Sequence, residues 1–156
     1  MDVVRQEEER KAKCLRAKAD RERQKRLEKE KLELAENFLK AAEKYLPLAG
    51  FTEDEHYAIF IAQSQAELIK EGNALSHCVG RNGYDRKMAR EETLIFFVRK
   101  LEALDTPFVT LEYSLKTKKI LQCYAYNNQK PEPKVLEFVN NKWLPHANQQ
   151  LEKLAA

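Results

Sequence analysis

Hydrophobic and polar positions change period twice along this chain, and the changes divide it. Residues 5–44 contain no Gly or Pro and are dominated by Glu, Lys, Arg, Gln, Ala and Leu, the strong helix formers, so one long helix is predicted. Apolar residues are sparse up to Arg26. Leu27 follows, and then Leu34, Phe38, Ala41 and Tyr45 draw a stripe at steps of four, three and four, which predicts an exposed first half and a docked second half. Glu9 with Lys13 and Glu22 with Arg26 are spaced for i,i+4 pairs. Sustained heptads are absent before Leu27, which disfavours a coiled coil over the whole segment. Pro47, Gly50 and the capping-type run Thr52 to Glu55 end the first region and open a new unit.

The second region alternates short apolar runs with turn residues. His56–Ala62 is β-branched and aromatic and too short for a typical helix, hence a strand. Ser64 offers an N-cap for a short helix over Gln65–Glu71 that Gly72 would close. Tyr84–Glu91 is polar and helix-compatible. Thr93–Arg99 is a nearly continuous apolar run, as expected of a strand buried on both faces at the centre of a sheet. Phe108–Tyr113 and Ile120–Ala125, joined by a Lys-Thr-Lys-Lys turn, read as an antiparallel hairpin. After the Asn127–Pro133 punctuation, Val135, Phe138, Val139 and Trp143 recur at helical spacing, and Pro145 is expected to interrupt that helix and leave a kinked tail from His146. The fold class is α+β: a roughly four-stranded, mainly antiparallel sheet packed against helices, with a charged helical arm over 1–46 and the sheet domain over 47–156.

Composition adds little to the fold and more to the setting. Of the 156 residues, 1–46 hold 14 Lys+Arg and 11 Asp+Glu and the remainder hold 14 of each, so the net charge of +3 resides in the arm. Such a mixed charge run is first a solvated helix and second a basic contact for nucleic acid or an arm that captures a protein partner. Cys14, Cys78 and Cys123 form no CxxC spacing, so neither a disulfide framework nor a zinc site is expected, and a reduced, cytoplasmic setting fits. His56, His77 and His146 lack ligand spacing, so no metal or cofactor is expected. No apolar run approaches the roughly 20 residues needed to cross a bilayer, so no membrane partner is expected.

Three of the four glycines lie between Gly72 and Gly83, together with His77 and Cys78. Adjacent residues rarely face one another in regular structure, which makes a His77/Cys78 dyad geometrically poor. Cys78 suits packing as a small hydrophobe. His77 suits a cleft in which strand alternation places Thr110 and Glu112 on one face and Gln122 opposite Glu112. Arg99 is the expected partner of Glu112, because an unpaired carboxylate within a sheet is expensive. Two readings of His77, Arg99, Glu112 and Gln122 stand open: an ion pair with a hydrogen-bonded histidine beside it, or an enzymatic site. In the latter His77 or Glu112 is the acid–base group, Arg99 holds an anionic or nucleotide substrate and Gln122 orients it. Separately, Arg81, Tyr84, Arg86, Lys87 and Arg90 form a basic cluster around one aromatic ring, suited to DNA or RNA backbone. Lys116, Lys118 and Lys119 add a second basic point at the hairpin tip.

The run Glu71-Gly-Asn-Ala-Leu-Ser-His77-Cys78-Val79-Gly80, then Gly83-Tyr84, Leu94–Arg99, Pro107–Glu112, Ile120-Leu-Gln122-Cys123, Asn127-Asn128 and Phe138-Val139 before Trp143, resembles the PcfJ-like family. The resemblance covers about Tyr57 to Trp143 and leaves the arm outside. It implies the bacterial cytoplasm and a mobile element, plasmid or phage, as the setting; the expectation of a binding role beside nucleic acid or a DNA-processing complex comes from the basic cluster. It carries no defined activity.

Overall fold

The computed structural model describes residues 2–51 and 54–156. Thr52 and Glu53, half of the capping-type run read from the sequence, lie outside the described residues. Helix α1 spans Asp2–Lys44, and the chain forms two compact units, Met1–Leu34 and Ala35–Ala156.

In the first unit α1 is exposed along its length up to Glu33. Its ion pairs are Arg5–Glu9, Glu7–Arg10 and Asp20–Arg23, all exposed, rather than the two pairs expected from spacing. Such pairs contribute about 0–1 kcal/mol each.

In the second unit the final turns of α1 bury Phe38, Ala41 and Ala42, followed by the short α2 (Leu46–Ala49) with Pro47 in its first turn. Then come β1 (Tyr57–Ile61), α3 (Gln65–Leu75), α4 (Tyr84–Ala89), β2 (Thr93–Lys100), β3 (Val109–Ser114) and β4 (Ile120–Tyr124). The four strands form one antiparallel sheet in the order β1-β2-β3-β4. The apolar run of β2 is central and buried from Thr93 to Arg99, as its composition requires.

The two sheet faces differ in chemistry. One carries Ile59, Leu94, Phe96, Val98, Val109, Leu111 and Tyr113, all buried, and packs on the C-terminal helices. Trp143 anchors that layer: its ring lies 4.8 Å from Phe96 and 5.7 Å from Tyr113, and its indole N–H donates to the Leu48 carbonyl at 2.9 Å. The register puts Thr93, Arg99, Thr110, Glu112, Ser114, Gln122 and Tyr124 on the other face, with the buried Ile95 and Phe97 among them. Helices α3 and α4 and the loop between them bond to that polar face.

Two sequence expectations about helix ends are corrected. Gly72 does not close α3; the helix continues to Leu75 and ends at Ser76, whose φ of 52° is left-handed. Gly72 is instead a point of close approach, where a Cβ would stand 3.0 Å from the His77 carbonyl oxygen. Pro145 does not break the C-terminal helix either. Helix α5 (Pro133–Glu137) widens into a π turn over Phe138–Trp143, and α6 (Leu144–Ala155) follows with the proline in its first turn, where a missing N–H is tolerated.

Candidate functional site

Helix α3 buries Leu68, Glu71, Gly72 and Leu75, which share one face at helical spacing. A glutamate on that face needs a counter-charge, and Arg99 at the end of β2 supplies it. The guanidinium donates two parallel bonds, at 2.7 and 2.5 Å, to the two carboxylate oxygens, with Glu71 2% and Arg99 8% exposed. This corrects the expected Arg99–Glu112 pairing. The residue opposite Glu112 on β2 is Ile95, four positions from Arg99, a separation of about 13 Å at about 3.3 Å per strand residue. Arg99 is therefore fully engaged away from Glu112 and holds no anion for it.

Past Ser76 the chain folds back on α3. The position of a Cβ on Gly80 lies 2.8 Å from the Ile69 Cα, so only glycine permits this approach. The fold-back directs His77 to the sheet. Its Nε2 lies 3.0 Å from the Thr110 hydroxyl, the Thr110 hydroxyl donates to Glu71 at 3.4 Å, and the Val79 N–H donates to His77 Nδ1 at 3.4 Å. These partners assign the neutral tautomer with the proton on Nε2. Burial pushes the His77 pKa below its usual value, against an opposing pull from Glu71.

Glu112 has a different environment. It is 3% exposed, accepts from the Thr93 hydroxyl at 2.9 Å and from the Gln122 amide at 3.3 Å, and stands 3.8 Å from the Lys87 ammonium. Gln122 contacts the Tyr84 hydroxyl at 3.3 and 3.4 Å. Burial raises the Tyr84 pKa above its usual value, so the phenol remains a neutral hydrogen-bonding group at pH 7. Burial pushes the Cys123 thiol up to about 12, which keeps it protonated at pH 7.

His77, Cys78, Tyr84, Thr110, Glu112, Gln122, Tyr124 and Asn128 line one cavity. Its water-accessible space measures about 30 Å³, room for two or three waters at about 10–15 Å³ each. Of the four proposed acid–base site residues, His77, Glu112 and Gln122 meet here and Arg99 does not. Of the basic cluster, Tyr84 lines the cavity, buried and without a stacking surface for a strand on the outside, Lys87 reaches Glu112, and Arg81, Arg86 and Arg90 are exposed. Cys78, expected as packing, both touches the core and lines the cavity. Sequence reasoning passed over Glu71, although its place between Leu68 and Leu75 on an apolar face was the signal. Among the described residues no cluster of three or more His, Cys, Asp or Glu is arranged to hold a metal ion, and no helix is long and apolar enough to cross a membrane.

The profile of the PcfJ-like protein family matches residues 3–139. The chain belongs to the PcfJ-like family. The match reaches back through α1, which corrects the expectation that the arm stands outside the family. A relative of this PcfJ-like chain is an uncharacterized protein of Listeria innocua, 37% identical over 87 residues, covering 56% of the chain and 19% of the relative. The chain thus spans about a fifth of the length of the curated relative it matches. No solved structure matches. Of the residues by which the sequence resembles the family, His77, Cys78, Tyr84, Thr110, Glu112, Gln122 and Asn128 are among those that line the cavity, whereas Glu71, Arg99, Phe138 and Trp143 are not.

Proposed function

We propose that this PcfJ-like chain is a nucleic-acid-binding module of a bacterial mobile genetic element, working in the cytoplasm and meeting phosphate backbone through Arg81, Arg86 and Arg90. The observation that carries the reading is a difference in pairing. Lys44, Lys87, Arg99 and Lys142 each have a carboxylate partner. Arg81, Arg86 and Arg90 are exposed and form no ion pair among the described residues. Asp85, the nearest carboxylate in sequence to Arg81 and Arg86, is taken by the Gln65 amide and the Arg86 N–H, and Glu91, next to Arg90, is taken by Lys44 and the Tyr45 hydroxyl. Arg86 and Arg90 are one helical turn apart, with the Arg90 N–H bonded to the Arg86 carbonyl. Like charges at that spacing cost about 0.2–0.5 kcal/mol, a cost that an anionic backbone would reverse. The three cysteines are unpaired, which supports a reducing compartment, and the family resemblance supports the mobile-element setting.

An enzymatic reading of His77, Arg99, Glu112 and Gln122 loses the residue meant to hold an anion, since Arg99 is closed onto Glu71. The test is binding of single- and double-stranded DNA and RNA across a salt series, by the full chain and by an R81A/R86A/R90A variant. Each lost phosphate contact lowers the slope of log affinity against log salt by about 0.7 to 0.9, so the triple variant is expected to lose about two units of slope and most of its low-salt affinity. Absence of binding by the wild type at low salt, or equal binding by the triple variant, overturns the proposal.

A further inference from the structure

The modest net charge of the arm hides an uneven one. Residues 10–26 of α1 hold nine Lys+Arg against two Asp+Glu, a net of +7, whereas the flanking stretches 2–9 and 27–34 are both net negative. A helix that is merely solvated mixes its signs, so that neighbours one turn apart offset one another. Here they do not. Of the nine cations, among the described residues only Arg10 and Arg23 have an ion-pair partner, Glu7 at 3.7 Å and Asp20 at 3.0 Å. The whole stretch is exposed. At about 100° per residue, Arg10, Cys14, Lys18, Arg21 and Lys25 recur at steps of four, four, three and four and share an arc of about 80°. Asp20 and Glu22 fall on either side of that arc, so the stripe is purely basic. Lys18 with Arg21 and Arg21 with Lys25 are like-charge neighbours, which destabilise a helix until an anion lies across them.

What the stretch lacks narrows the partner. Leu15 is its one large apolar side chain, so it has no apolar face to sink into a membrane surface or a protein groove. It has no aromatic ring either, the first in the chain being Phe38, and so no platform on which the unstacked bases of a single strand could rest. A second copy laid alongside in register would set +7 against +7. A regular row of phosphates on a duplex meets none of these objections. The 17 residues span about 25 Å at 1.5 Å each. Ala12, Cys14, Ala17 and Ala19 keep the helix slender, which suits the major groove of B-form DNA, about 12 Å wide, and the major groove of A-form RNA is too narrow to admit it.

We propose that residues 10–26 of α1 are a contact for duplex DNA, lying in the major groove with the basic stripe turned inward, Arg10, Lys18, Arg21 and Lys25 reaching the phosphates of the groove walls and Cys14 at the closest approach. Phosphate contacts position a helix without reading sequence, so the contact takes B-form duplex of any sequence. Its biological meaning rests on the nucleic-acid reading above, but its residues are others and belong to the other compact unit, so either contact can fail without the other.

The test uses the full chain and a short mixed-sequence DNA duplex across a salt series. K18A/R21A/K25A removes three charges from the stripe, and K13A/R16A/R23A removes three from the opposite side; alanine keeps the helix in both, as circular dichroism verifies. Each lost phosphate contact on B-form DNA lowers the slope of log affinity against log salt by about 0.9, so the stripe variant is expected to lose about two to three units and at least about tenfold in low-salt affinity, and the opposite-side variant about one unit or less. Equal losses in the two variants overturn the stripe. Cys14, free and exposed, locates the contact: duplex DNA is expected to slow its alkylation severalfold, read by peptide mass, and an unchanged rate overturns the proposal. Duplex RNA of the same sequence is expected to bind more weakly and to protect Cys14 less. Equal protection by RNA, or by vesicles of anionic phospholipid, overturns the choice of B-form DNA. R81A/R86A/R90A is expected to leave the protection of Cys14 by DNA in place. DNA binding lost in R81A/R86A/R90A and intact in K18A/R21A/K25A overturns the arm contact and leaves the arginine surface standing. The converse result overturns the arginine surface and leaves the arm contact standing.

Discussion

Two buried carboxylates lie on the same side of one sheet, and they solve the same electrostatic problem differently. Glu71 meets a fixed guanidinium in two parallel bonds, and the pair is sealed. Glu112 meets a hydroxyl, an amide and the tip of a lysine that is 44% exposed. In the first arrangement both carboxylate oxygens are held by the guanidinium, whose Nη1 also donates to the Val98 carbonyl, and no exchangeable partner remains. The second is neutral overall and holds weak bonds that can be exchanged. A buried charge is thus no marker of function on its own; what separates the two regions is whether the partner is committed.

Four measurements break or sharpen that contrast. The largest effect is expected from Glu71→Ala, which strands Arg99 without a partner and should cost about 3–5 kcal/mol in urea unfolding. Replacing both partners, as Glu71→Leu with Arg99→Met, should recover much of that loss; a cost below about 1 kcal/mol for Glu71→Ala would show that the pair is not the sealed one described. Next is Gly80→Ala. It drives a methyl into the α3 backbone at Ile69 and should cost about 1–3 kcal/mol, while also displacing His77 and Cys78 from the cavity, visible as shifted resonances for Thr110 and Tyr84. A stability change of zero would place the fold-back elsewhere.

Glu112→Gln should be milder, about 1 kcal/mol, because Lys87 can turn to water and an amide oxygen still accepts from Thr93. If Glu112→Gln proved as damaging as Glu71→Ala, the distinction between a committed and an exchangeable carboxylate would fail. The smallest effect concerns pH. Burial lowers the folded-state pKa of His77 below its usual 6.5, so the unfolded chain binds the proton more readily. The stability that His77 contributes is therefore complete above about pH 6.5 and is lost as pH falls through its lowered folded-state value. Thermal transitions of wild type and His77→Gln, compared from pH 7.5 to 5, should converge on the acid side. A constant gap between them would remove His77 from the account.

The Glu112 region was more legible in the sequence than the Glu71 region, and the reason is periodicity. Alternation along β3 and β4 places Thr110 with Glu112 and sets Gln122 opposite, and the register agrees. The partner of Arg99 was not legible in the same way, because Glu71 and Arg99 meet from a helix and a strand 28 residues apart in the chain, a geometry that no local spacing encodes. The run Leu68, Glu71, Gly72, Leu75 did show a carboxylate on an apolar face, which was enough to demand a partner without naming it. Gly72 and Gly80 were visible as unusual, yet their meaning was packing against neighbouring backbone, not chain reversal. Tyr84 looked like an exposed ring among basic residues, and only the fold of the loop turns it inward.

The wide turn at Phe138–Trp143 governs something else: which residue numbers reach the sheet beyond it. Its bonds skip one residue further than in an α-helix, as the Leu144 N–H to Val139 carbonyl bond shows. The Asn140 amide, meanwhile, bonds to the Leu136 carbonyl. The turn acts as a phase adjuster between two helical stripes, so that Val139, Trp143 and Ala147 fall in line at steps of four despite the proline between them. Loss of one residue from the turn would rotate everything after it by about 100° and carry Ala147 and Leu151 away from the core. In this segment the length of the chain is under tighter constraint than its exposed side chains.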